Sequence, residues 1–183
     1  MKNLIAFTLL SVFVFLSCKV DEIIGPPIDT SVILPLKVGN IWTYQCTMTD
    51  SLGSMFASFS QSTSIVSDTL LNGRRTFLFS TGDYFWNENS GFWIQSPGKQ
   101  PLLVYKYPAN LGESYGQLIT VIFKDSTINT PKGNFNCYGY SSGIAITSVA
   151  PGIGKVKSEY FQNRSDGSTY LFQKEELINY QIK

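Results

Sequence analysis

Serine nucleophiles are the first chemistry to look for, and two spacings offer one. Gly139-Tyr140-Ser141-Ser142-Gly143 satisfies G-x-S-x-G, the pattern of a nucleophile elbow, which works on a strand-to-helix turn with a histidine as base. The sequence contains no histidine, so the match reads as a glycine-bounded strand end. Ser96-Pro97-Gly98-Lys99 satisfies S-x-x-K, but that pattern needs a helical turn to bring lysine beside serine, and Pro-Gly makes a β-turn instead. The missing histidine also removes Ser-His-Asp and Cys-His catalysis, imidazole zinc sites and histidine pH switching. Gly152-Ile153-Gly154 lacks the third glycine and the helix of a nucleotide fingerprint. Paired carboxylates are the one catalytic device the composition leaves. Asp83, Glu88, Glu113 and Glu159 are the candidates, and no spacing makes two of them converge. Glu175 and Glu176 are adjacent, so in a strand they face opposite sides. No metal-ligand spacing is present. The sequence therefore assigns no catalytic residue, no metal ligand and no cofactor, and the expectation is a protein that is not an enzyme.

One cysteine does have a chemical context. Lys2 precedes an apolar run from Leu4 to Leu16, interrupted by Thr8 and Ser11, the length of a signal-peptide core and too short for a spanning helix. Phe15-Leu16-Ser17-Cys18 follows and resembles a lipobox, where a small residue precedes a cysteine that accepts a diacylglycerol. Only the thiol is nucleophilic enough there to form the thioether. Cys18 is thus the expected lipidation site, and two or more acyl chains would anchor the chain stably without crossing the membrane. Residues 1–17 form the signal peptide and 18–34 an extended, proline-bearing tether reaching at most roughly 50 Å. Lys19-Val20-Asp21-Glu22 resembles the lysine-plus-acidic signals that send some Gram-negative lipoproteins to the cell surface; a plain solvated tether is the alternative. The expected location is the cell envelope, lipid-anchored at the outer membrane on its periplasmic or surface face.

Cys46 and Cys137 remain. They can pair in an oxidising compartment, or each can be a small reduced core residue. Among the aromatics, Tyr84, Phe85 and Trp86 are consecutive and face Phe92 and Trp93 across a longer turn. At least one large ring must then point away from the core. Tyr84, Trp86, Phe92 and Trp93 are the candidate binding aromatics, for a sugar or an apolar cavity, unless a loop covers both faces of the hairpin. Asp50-Ser51-Leu52, Asp68-Thr69-Leu70 and Asp125-Ser126-Thr127 resemble a short O-glycosylation acceptor motif and are equally ordinary strand-end residues.

The elements that must position these groups read almost entirely with period two. Trp42, Tyr44, Cys46 and Met48 point one way while Thr43, Gln45, Thr47 and Thr49 point the other, which is a half-buried antiparallel strand. Residues 55–67, 76–80, 102–107, 118–126, 133–141, 144–148, 156–163 and 168–180 read as further strands. Asn72-Gly73 and Ser165-Asp166-Gly167 are turns, and Lys174-Glu175-Glu176-Leu177 favours strand from its flanks. About ten short strands predict a single antiparallel meander, curved into a half-barrel or barrel with little or no helix, over 35–183. Loss of Lys2 with the signal leaves thirteen basic against thirteen acidic residues, which argues against nucleic acid as a partner.

Pro35-Leu36-Lys37-Val38-Gly39-Asn40-Ile41-Trp42-Thr43-Tyr44 resembles the P-L-x-x-G-x-x-W-x-Y opening of a group of uncharacterised Gram-negative envelope lipoproteins. Thr130-Pro131-Lys132-Gly133-Asn134-Phe135 resembles their middle hairpin, and Ala150-Pro151-Gly152-Ile153-Gly154-Lys155-Val156 their late glycine turn. The resemblance implies a curved antiparallel sheet and no activity. The expected partners are the membrane, through the anchor, and an apolar ligand, a glycan or an envelope protein.

Overall fold

The computed structural model describes residues 28–116 and 118–183; the signal peptide, Cys18 and most of the expected tether lie outside them. Twelve strands follow one another among the described residues: β1 (Ile41–Thr49), β2 (Met55–Leu71), β3 (Arg74–Phe79), β4 (Tyr84–Glu88), β5 (Gly91–Gln95), β6 (Leu102–Lys106), β7 (Ser114–Tyr115), β8 (Ile119–Thr130), β9 (Gly133–Ser141), β10 (Ala145–Ala150), β11 (Gly154–Asn163) and β12 (Thr169–Gln181). No helix occurs among the described residues. All twelve belong to one sheet in the order β6-β5-β4-β3-β2-β1-β12-β11-β10-β9-β8-β7. Each strand pairs antiparallel with its sequence neighbours, β6 with β7 excepted, and β1 pairs with β12, joining the chain's two ends. The sheet is a meander rolled into a nearly closed barrel, as the alternation predicts.

Local chemistry explains the turns and the curvature. Asn72 and Gly73 both have positive φ (51° and 76°), the geometry that lets a two-residue hairpin follow the strand twist. The seventeen-residue β2 serves two neighbours. Met55–Ser64 pairs with β1 and Ile65–Leu71 with β3, and its register shifts between Ile65 and Ser67, where a bulge bends the strand. Trp42, Tyr44 and Cys46 of β1 point inward as their period requires. The Trp42 indole donates to the Ile153 carbonyl at 2.7 Å, and the Tyr44 hydroxyl to the Lys155 carbonyl at 3.0 Å, so two large buried rings leave no polar atom unpaired.

The one interruption of the ring lies between β6 and β7, which are consecutive in sequence yet form the two edges of the sheet. Side chains close this seam. Tyr115 donates to the Val104 carbonyl and Tyr140 to the Lys106 carbonyl, each at 2.8 Å, and Lys106 pairs with Glu113. β7 has only two residues, too few to show a period, so no alternation marks it.

Residues 28–36 depart from expectation. The tether was expected to run to Leu34, but Ile33 and Leu34 are 1 % and 7 % exposed and belong to the core. The segment plugs one end of the barrel. Gly152 donates to the Val32 carbonyl at 2.7 Å, Asn87 to that of Leu34 at 2.9 Å, and Tyr107 to that of Thr30 at 2.7 Å. Gly154 (φ 96°) makes room for the plug: a Cβ there would lie 2.1 Å from Leu34 Cδ1.

Candidate ligand cavity

The inward residues of the meander form an arc of aromatic rings. Trp42 and Phe79 stack at 6.1 Å, Phe79 meets Phe85 at 4.2 Å, and Phe85 stacks on Phe92 at 5.2 Å. Phe92 stacks on Tyr105 at 6.0 Å, and Tyr105 meets Tyr140 at 5.0 Å across the seam. The rings fall on β1, β3, β4, β5, β6 and β9, so the arc runs around the interior and ties its halves together. A cavity of about 200 Å³ lies against it. Ile33 and Leu34 of the plug form one wall and Ile94 and Val104 another, with Thr63, Thr81 and Lys155 at its margin.

Lys155 is the charged member of this lining. Its ammonium lies 4.4 Å from the centre of the Tyr44 ring and pairs with Glu175. Glu175 is 5 % exposed; it sits opposite Cys46 on β1 and Ser158 on β11, both buried. A carboxylate removed from water in this way must be hydrogen-bonded on every side. Its Oε2 faces Lys155, and its Oε1 accepts from Gln173 at 2.8 Å and from Gln61 at 3.1 Å. Glu176, its neighbour, faces away and pairs with Lys174. The period-two reading separated the two glutamates, but it did not bring Lys155 to Glu175. Their meeting depends on the register of β11 with β12, and β11 carries a further shift against β10 at Ser148/Val149.

The candidate binding aromatics do not form one site. Phe92 points inward with Phe85, whereas Trp86 and Trp93 are a cross-strand pair on the outer face, stacked at 6.1 Å with planes 8° apart. The Arg74 guanidinium lies 4.8 Å from the centre of the Trp86 ring and pairs with Glu88. Trp86 is consequently 2 % exposed, although it points outward, and its buried Nε1 has no partner among the described residues. Trp93 donates to Ser90 at 3.1 Å. Tyr84 is half-buried beside Leu78 of β3.

Cys46 and Cys137 are both buried and carry free thiols. They stand on β1 and β9, strands separated in the sheet by β12, β11 and β10. Burial pushes both thiols up, Cys137 to about 12. Three of the candidate carboxylates are held by cations: Glu88 by Arg74, Glu113 by Lys106 and Glu159 by Lys157. Asp83 lies in the β3–β4 turn, where its carbonyl accepts from Phe79. Ser141 ends β9 and accepts from the Gly143 amide at 3.3 Å, and Lys99 donates its amide to the Ser96 carbonyl at 3.0 Å. Both serine patterns are therefore turns.

No family profile matches this sequence. No curated protein matches it either. A crystal structure from Parabacteroides distasonis ATCC 8503, of a protein classed as a lipoprotein, is similar at 14 % identity with a TM-score of 0.47; the likeness covers 84 % of this chain and 100 % of that one.

Proposed function

We propose that this chain is a lipid-anchored cell-envelope protein whose β domain takes up a small apolar ligand inside the barrel and catalyses no reaction. The anchor rests on Phe15-Leu16-Ser17-Cys18 behind an apolar signal core. The ligand rests on one observation, the roughly 200 Å³ cavity against the aromatic arc. A cavity of about 150 Å³ lined by hydrocarbon stays dry and takes a benzene ring. By proportion this one takes a group of about eight heavy atoms, far too few for a two-chain lipid.

The competing reading, a glycan stacked on the hairpin aromatics, has less support. Sugar stacking needs a free ring face, and Trp86, against Arg74 and Trp93, is 2 % exposed.

Ligand-detected NMR with toluene and 1-hexanol, on the full chain in lipid nanodiscs with empty nanodiscs subtracted, tests the cavity. Saturable binding by the wild type, abolished by Val104→Trp, is the expected result. Absence of binding to the wild type would end the apolar-ligand reading.

A further inference from the structure

The cavity wall carries a charge, and that charge restricts what enters. Trp42 and Tyr44 have already committed their polar atoms to the carbonyls of Ile153 and Lys155. The Lys155 ammonium has three donors. One goes to Glu175 and its flank rests on the Tyr44 ring, which leaves two donors for an acceptor in the cavity that Lys155 lines. Its side chain is 26 % exposed, against 7 % for that of Glu175, so the cation and not its counter-ion is the accessible partner.

Glu175 does more than neutralise Lys155. The Gln61 and Gln173 amides both donate to it independently of the lysine, so the carboxylate stays solvated when the ammonium turns to a second acceptor. The ion pair with Glu175 holds Lys155 in place while the site is empty.

Resting on the apolar-ligand reading above, we infer that the ligand is a small amphiphile with a carboxylate head: its ring or short chain lies in the aromatic arc and its carboxylate on Lys155 Nζ. The Thr63 hydroxyl, also in the lining, offers the second carboxylate oxygen a donor. An ammonium–carboxylate bond made away from bulk water outweighs the neutral bond an alcohol would make.

Matched probes read this out. Phenylacetate and hexanoate are titrated against 2-phenylethanol and 1-hexanol by isothermal calorimetry, on the full chain in nanodiscs at pH 7. The acids are expected to bind the wild type at least tenfold more tightly than the alcohols. Lys155→Met is expected to abolish the difference, bringing the affinity of the acids down to that of the alcohols. Equal affinities for acid and alcohol in the wild type, a comparison that needs no variant, overturn the carboxylate assignment and leave the cavity reading standing. A preference that survives Lys155→Met overturns it too. Failure of all four probes overturns both.

Discussion

A thiol among hydrocarbon side chains has no solvent to stabilise its anion, and Cys137 shows the consequence. With its acidity pushed up to about 12, its thiolate fraction at pH 8 is on the order of 10⁻⁴, against roughly a quarter for an ordinary cysteine. Alkylation proceeds through the thiolate. Cys46, buried on β1, is raised for the same reason. Iodoacetamide at pH 8 should therefore leave both unlabelled in the native protein and label both in denaturant without prior reduction. A mass lower by two hydrogens, with labelling only after reduction, would show instead that the cysteines are paired. The sequence left both states open for this pair, because period two tells which face a residue takes but not which strands end as neighbours. The same limit hid Lys155 and Glu175. By contrast, the inward placement of Trp42 and Tyr44 was readable from alternation alone.

At the scale of the strand, the seam between β6 and β7 is the weak line of the sheet, since side chains there replace a backbone ladder. Tyr140→Phe would leave the Lys106 carbonyl without its phenol donor, a loss of about 1–3 kcal/mol that urea unfolding should detect. Acid should loosen the same seam. The Lys106 ammonium beside Glu113, aided by the Asn110 amide, lowers the Glu113 carboxyl. That contribution is fully present above the unfolded carboxyl value of about 4.3 and is lost as pH falls through the lowered folded value. Amide protection in β6 and β7 should drop over that acid window ahead of β1 and β12, and Glu113→Gln should reproduce the drop at neutral pH. Unchanged protection would mean the ion pair contributes nothing to closure. Long strands such as β1, β9 and β12 were legible because each offers many alternating positions. The two residues of β7 offer none, and the 28–36 plug is held by carbonyls accepting from distant donors, which no local pattern encodes.

For the molecule as a whole, the plug shortens the leash. Only nine residues separate Cys18 from Ile28, at most about 35 Å of extended chain from one to the other, rather than the span the full tether would give. Lipid at Cys18 would hold the plugged end toward the membrane. β1 runs from that end to the β1–β2 turn, where Leu52 is 89 % exposed, so such an anchor would leave this turn facing away from the bilayer. Metabolic labelling with an alkyne fatty acid should tag the wild type and fail on Cys18→Ala, which should also leave the membrane fraction; labelling that persists would place the lipid elsewhere. The join between β1 and β12 also sets an order of events in time. Whichever way the chain is delivered, β1 emerges first and its partner last, with some 120 residues between them. Local hairpins can form as they appear, but the ring waits for the final strand, and contacts so distant in sequence are slow to form. Until then one edge of β1 stands open, a surface that invites pairing with other chains, so the vulnerable period of this protein's life is its arrival.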